Sequence, residues 1–192
     1  MANDMMRADA QDNRRRILAA AEKVYGSGED ASTERVAELA HVGIATVFRH
    51  FPTKAALLEA VLVTRLERLR EQAQALLGAA DPGAALTGFF AHLVADAAGK
   101  LAIAGALQAS GGDGTDAERA SYALHAAVGE LLTRAQEAGA VRADLGLDEF
   151  YALLIGASRG VAAMDLDETA RDRMLDVVFA GLRPVDGEPR TS

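Results

Sequence analysis

Apolar positions recur at three- and four-residue spacing along nearly the whole chain, and no segment sustains the alternation of a strand. This spacing predicts a first helix from about Asp12 to Tyr25, with Ile17, Leu18, Ala21, Val24 and Tyr25 on one face and "GSGED" as its stop. Ser32 stands where a cap is needed for a short helix Thr33–Ala40. After His41, Val42 and Gly43 comes a second short helix, about Ile44–Phe51. Thr53 caps a long helix reaching about Leu77, with Leu57, Val61, Leu62, Leu66, Leu69, Ala73 and Leu76 at helical spacing. Its length of about 37 Å is enough to connect two domains. Asp81 and Pro82 open a helix to about Ala98, and a weaker one follows near Leu101–Ala109. Thr115 to Glu118 read as a capping box that opens a helix to about Ala138. Asp148 caps a helix to about Met164, and a last helix runs from about Glu168 to Leu182, closed by Arg183-Pro184. Residues 1–11 and 184–192 are expected to be disordered tails. The fold class expected is all-α, with about nine helices.

Composition narrows the class. At 192 residues and 50% hydrophobic, the chain can bury roughly 70% of its unfolded surface. It has no cysteine, which excludes disulfides and thiolate metal sites. The N-terminus lacks the apolar stretch of a signal peptide, and no apolar run reaches the roughly 18 residues of a membrane span. A soluble, cytoplasmic protein is expected. The net charge of −8 looks wrong for a nucleic-acid binder, but residues 1–54 balance eight Lys/Arg against eight Asp/Glu. The whole acidic excess therefore lies beyond them, which leaves room for a local basic face at the N-terminal end.

Two short helices joined by a three- or four-residue turn, with the small Ala37 at the crossing, form a helix-turn-helix. In such a unit the second helix enters the major groove of DNA. The Ile44–Phe51 helix is too short to stand alone, so Val42, Val47 and Phe51 must pack on the first and fourth helices. Its outer face then shows Ile44, Ala45, Thr46, Phe48, Arg49 and His50. Gly43 at its N-cap would bring backbone N–H groups close to phosphates. Lys54, in the first turn of the next helix, is disfavoured by the helix dipole unless it meets an anion. A helical hairpin with a solvated polar face fits the same pattern.

The stretch "RRRILAAAEKVY" followed by "STERVAELAHVGIATVFRHFPTKAALL" resembles the N-terminal domain of the Tet-repressor (TetR) family of bacterial transcriptional regulators. The family pattern is near "TxxxIAxxAGVSxGTLYxHFxxKxxLL", and Val36-Ala37, Ala40, Val42, Thr46, His50-Phe51, Lys54 and Leu57-Leu58 fit it. The resemblance runs from about residue 12 to 71. It implies a three-helix DNA-binding domain over 12–56 and a helical ligand-binding and dimerisation domain over 57–183. It also implies that Ser32 and Thr33 lie near a phosphate, that Ile44, Ala45, Thr46 and Arg49 face the groove, and that Phe48, His50 and Lys54 contact the backbone. Arg49 is the candidate for guanine, because a guanidinium binds O6 and N7 together. His41 and Phe48 depart from the family's glycine and tyrosine. If His41 is left-handed, it costs about 1 kcal/mol.

The resemblance further implies a homodimer through the last two helices, 148–164 and 168–182, and an unidentified small-molecule effector. Phe150, Tyr151, Leu153, Leu154, Ile155 and Val161, with Met174, Leu175, Val177, Val178 and Phe179, make these helices more apolar than one buried side requires. Phe89, Phe90, His92, Leu93, Leu107, Gln108, Tyr122, His125 and Met164 are candidates for an effector pocket. No nucleophile–base pair, phosphate loop or metal-spaced cluster points to an enzyme, a cofactor or a metal. The expected function is a sequence-specific DNA-binding transcriptional regulator, a repressor released from its operator by a small-molecule effector. The alternative is a helical ligand-binding or dimerisation module that no longer binds DNA.

Overall fold

The computed structural model describes residues 2–27 and 31–184, with side chains from Arg7 onward. Among these residues there are eight helices and no strand: α1 (Ala2–Ser27), α2 (Thr33–Leu39), α3 (Ile44–His50), α4 (Lys54–Leu76), α5 (Pro82–Ala109), α6 (Thr115–Glu137), α7 (Leu147–Met164) and α8 (Glu168–Leu182). Several starts follow the expected caps. Ser32 accepts from the Arg35 N–H at 3.1 Å, Thr53 from Ala56 at 3.0 Å, Asp81 from Ala84 at 2.9 Å and Asp167 from Ala170 at 2.8 Å. Each satisfies one of the orphan donors that every helix start exposes.

Four expectations are corrected. Helix α1 begins at Ala2 rather than about Asp12, so residues 2–11 are helical and not a disordered tail. Extending a helix already anchored by Ile17, Ala21 and Tyr25 adds hydrogen bonds without a new nucleus. The expected tail beyond Pro184, and the Gly28–Asp30 part of "GSGED", lie outside the described residues. The two helices expected near 82–98 and 101–109 are one, α5. Gly99 costs only about 1 kcal/mol in a helix interior, and burial of Ala97 and Ile103 on either side outweighs it.

The capping box at Thr115 is not formed. The Thr115 N–H donates to Asp113, and the Asp116 N–H donates at 2.9 Å to the Glu59 carboxylate, a group distant in sequence. Helix α7 likewise opens at Leu147 with Gly146 as its N-cap, which leaves Asp148 in the first turn.

Among the described residues α5 is long and apolar enough to cross a membrane by length and composition, although the charges at Asp96 and Lys100 break its apolar run. Its large apolar side chains are used inside the protein: Leu86, Phe89, Phe90, Val94, Ile103 and Leu107 are all buried.

The chain forms two compact units. One comprises residues up to Glu67 together with Gly99–Ser121; the other comprises Arg68–Ala98 and the described residues from Tyr122 onward. In the first, Ile17, Ala21, Val24 and Tyr25 of α1 are buried with Val36 and Ala37 of α2, Val47 of α3, and Leu57, Leu58 and Val61 of α4. Arg65 is also buried there, paired with Glu22 at 3.2 Å, and a Cβ at Gly99 would lie 3.0 Å from its guanidinium. The second unit is centred on aromatic rings. Phe90 meets Phe150 and Phe179 edge to face, with centroids 5.3 and 5.6 Å apart, an arrangement favoured by the ring quadrupoles.

A candidate nucleic-acid interface

The turn between α2 and α3 is built by a Schellman motif. The His41 N–H donates to the Glu38 carbonyl at 3.0 Å, and the Val42 N–H donates to the Ala37 carbonyl at 3.0 Å. His41 is the left-handed residue this motif requires, with φ of 54°. A β-carbon is strained there, and the cost is of order 1 kcal/mol. The Arg16 side chain reaches from α1 to donate to the Ala40 carbonyl at 3.1 Å, so the exposed C-terminal end of α2 is tied to α1.

Helix α3 has only seven residues and cannot persist unaided. Val47 is 0% exposed and Phe51, its C-cap, is 3% exposed. These anchors fix the rotation of the helix about its axis. Gly43, Ile44, Ala45, Phe48 and Arg49 are then exposed, and Thr46 and His50 are partly so. The expected outer face is therefore the outer face observed. A Cβ built on Gly43 would meet nothing, and its φ of −70° suits any residue.

Thr33 departs from expectation. It is 8% exposed, and its hydroxyl lies 3.4 Å from that of Tyr25 in the core. The Thr33 side chain is thus turned to the core, whereas Ser32 next to it is partly exposed. Burial pushes the Tyr25 hydroxyl's pKa up, Thr33 pulls it back, and Glu34 raises it further. Lys54 is exposed, and its ammonium sits 5.1 Å from the centre of the Tyr25 ring. That contact offsets its unfavourable place at a helix N-terminus.

Ion pairing sorts the basic residues. Arg15 and Arg16 face Asp12 at 2.8 and 3.1 Å, Arg35 faces Glu38 at 2.9 Å, and Arg65 faces Glu22. Among the described residues no carboxylate lies within ion-pair distance of Arg49 or of Arg14. Arg14 instead places its guanidinium 4.7 Å over the Phe51 ring, beside the C-terminal end of α3. His50 feels both cations: burial, then Arg49, then Arg14 hold its imidazole below its ordinary pKa. Arg14 escaped the sequence reading. The run "RRR" before Ile17 was a visible signal, but only the fold shows which of its members lacks an acidic partner.

The candidates for an effector pocket fall in both units. Leu107 and Gln108 line a hollow of about 220 Å³ in the first unit, with Leu62, Leu66, Lys100 and Ser121. Phe89 and His92 line another of about 470 Å³ in the second unit, among Gln72, Leu76, Ala85 and Gly88. Phe90 is taken up by the aromatic core, and Leu93 is partly buried. His125 stacks on Tyr151 with centroids 4.2 Å apart, and burial drives the Tyr151 hydroxyl's pKa well up. Tyr122 and Met164 are largely exposed. No group of three or more His, Asp or Glu able to hold a metal exists among the described residues.

Comparison with known proteins bears on this geometry. Residues 17–61 match the family model for bacterial regulatory proteins of the tetR family, and residues 81–184 match that for the C-terminal domain of SbtR-like transcriptional regulators. The crystal structure of a TetR transcription regulatory protein from Mycobacterium vanbaalenii is 38% identical, with 93% of this chain and 99% of that chain covered and a TM-score of 0.76. That of a TetR transcriptional regulator from Streptomyces coelicolor is 36% identical over 90% of this chain and 99% of that one, with a TM-score of 0.75. An HTH-type transcriptional regulator of Staphylococcus aureus is 33% identical over 66 residues, which span 33% of this chain and 35% of that protein.

Proposed function

The chain belongs to the TetR family of bacterial transcriptional regulators, with the family's DNA-binding domain at its N-terminal end, and on that premise we propose that it is a sequence-specific, homodimeric repressor that leaves its operator when a small molecule binds. The division proposed is a DNA-binding domain over 12–56 and a ligand-binding and dimerisation domain over 57–183. The observation that carries the reading is the two-sidedness of α3. Val47 and Phe51 anchor one side in the core, while Ile44, Ala45, Phe48 and Arg49, with which no carboxylate among the described residues pairs, stand on the other. A side chain in a groove must be both accessible and unsatisfied, and Arg49 is both.

Ile44, Ala45, Thr46 and Arg49 read base edges in this proposal, with Arg49 on guanine. Ser32, Gly43, Phe48, His50 and Lys54 meet the backbone and set the register. Dimerisation through α7 and α8 is supported by the exposed side chains of Leu153, Ile155, Met164 and Val177. An exposed apolar group is favoured to leave water against another copy. The effector would have to act through a two-state shift, with a coupling of about 1–3 kcal/mol. The hollow containing Phe89 and His92 lies within the volume range of small-molecule sites, whereas the one containing Leu107 and Gln108 lies below it. A bacterial DNA-binding regulator works at the chromosome, which supports a cytoplasmic location.

Selection from random DNA by the purified full chain tests this reading. A two-fold symmetric sequence should be enriched, with half-sites about 34–36 Å apart. Failure to enrich any sequence would overturn it.

A further inference from the structure

Arg14, on α1, is seated against the end of the proposed recognition helix. Its guanidinium carbon lies 4.7 Å from the centre of the ring of Phe51, the residue that closes α3. Its neighbours in sequence have local partners: Arg15 is held by Asp12, and Arg16 by Asp12, Asn13 and the Ala40 carbonyl. Arg14 has no such partner among the described residues, and neither has Arg49 on the adjacent helix. Between them stands His50, partly exposed, its ring 6.3 Å from that of Phe51. Three cationic or protonatable groups from two helices thus converge on one corner, and no carboxylate among the described residues pairs with either arginine.

Such a cluster is unfavourable when empty. Like charges repel, and burial, then Arg49, then Arg14 hold the imidazole below its ordinary pKa. The cluster becomes favourable once a compact dianion or a chain of monoanions sits over it. Arg49 stands on the face of α3 on which Ile44, Ala45 and Phe48 are exposed. Contact with the Phe51 ring restricts where the guanidinium can go, which lowers the entropy lost when it binds.

We propose that Arg14 is a DNA-phosphate ligand outside the helix-turn-helix, forming with His50 and Arg49 a built site for one backbone phosphate at the C-terminal end of α3. This rests on the DNA-binding reading above and adds to it a contact from α1. The ligand is the phosphate itself, so the contact carries no base preference.

The test uses the full-length protein and a random-sequence duplex, with affinity measured between about 50 and 200 mM salt. Wild type, Arg14→Gln, Arg14→Lys and Arg15→Gln are compared, and thermal unfolding is followed in parallel. Each phosphate contact contributes about −0.9 to the slope of log affinity against log salt. Arg14→Gln should therefore bind less tightly to every duplex, with a slope shallower by about one. The wild-type advantage should shrink about threefold across that salt range. Arg14→Lys should retain the slope, and Arg15→Gln, whose charge is already matched by Asp12, should leave it unchanged.

An unchanged slope in Arg14→Gln, with wild type binding normally, overturns the inference. So does an equal effect from Arg15→Gln, which would mean diffuse charge rather than a built site. A fall in unfolding temperature without a change in slope assigns Arg14 to packing on Phe51 only. If wild type binds no duplex at any salt, the DNA-binding reading fails first.

Discussion

The corner made by α2 and α3 and the face made by α7 and α8 both withhold side chains from the protein's own core, but they expose opposite chemistry. The first shows guanidinium and imidazole groups around two modest apolar contacts, Ile44 and Phe48. The second shows aliphatic side chains, with Met164 73% and Val177 75% exposed. An exposed cation is well solvated and costs little until an anion replaces its water. An exposed aliphatic group costs roughly 25 cal/mol for each Å² left in water. The first surface therefore calls for a charged partner whose binding weakens with salt. The second calls for an apolar partner whose binding does not. Both helices are anchored from one side: α3 by Val47 and Phe51, and α7 by Phe150, Leu154 and Ala157, with Leu153 and Ile155 left outside.

The largest expected effect removes the anchor on which the first surface depends. Phe51→Ala should cost about 3–5 kcal/mol of stability, because a buried ring and the seat of Arg14 disappear together. Urea unfolding would show it, and DNA binding would fall with it. On the other surface, Val177→Arg should raise the dimer dissociation constant about 100-fold, near 2.7 kcal/mol. It should leave the unfolding of the monomer nearly unchanged. Sedimentation at micromolar concentration checks this, and a dimer unmoved by the substitution would place the interface elsewhere.

Two substitutions on the cationic corner should separate base reading from backbone contact. Arg49→Ala should lose about 1–3 kcal/mol on the selected operator and relax preference at one position. Lys54→Ala should weaken all sequences alike and flatten the salt dependence. Equal losses on every sequence from Arg49→Ala would remove its base-reading role. A smaller effect, of opposite sign, is expected in the turn. His41→Gly should stabilise the protein by about 1 kcal/mol, since glycine accepts φ of 54° without strain. Thermal unfolding would report it.

The smallest effect is on pH. His50 has a folded-state pKa below its ordinary 6.5, through burial, Arg49 and Arg14. The unfolded chain therefore takes up the proton first as pH falls. The stability associated with neutral His50 is complete above about 6.5 and declines as pH drops below that value. Phosphate reverses the preference, so DNA affinity should tighten over the range in which stability weakens. In His50→Gln both slopes should flatten, as followed by unfolding and by titration with duplex DNA at pH 5.5–7.5.

The helix-turn-helix was legible because its information is local. Ser32 caps, Val47 and Phe51 face inward, and the residues between them face outward, all by spacing within a few turns. The capping box at Thr115 misled for the converse reason. A distant carboxylate, Glu59, holds the first turn of α6 by accepting from Asp116. The break expected near Gly99 failed because a local propensity of about 1 kcal/mol is smaller than the burial around it. Thr33 had the composition of a surface cap neighbour but is drawn into the core by Tyr25.

The sequence by itself determined an all-helical chain, its family, the outward residues of α3 and the apolar excess of the last two helices, since each depends on residue types at short spacing. Tertiary structure alone decided which arginines are matched by carboxylates, that Arg14 sits on Phe51 at the end of α3, and that the effector candidates divide between separate hollows. Those outcomes depend on pairs far apart in the chain, and a charge or an aromatic ring acquires its role only from what folding places beside it.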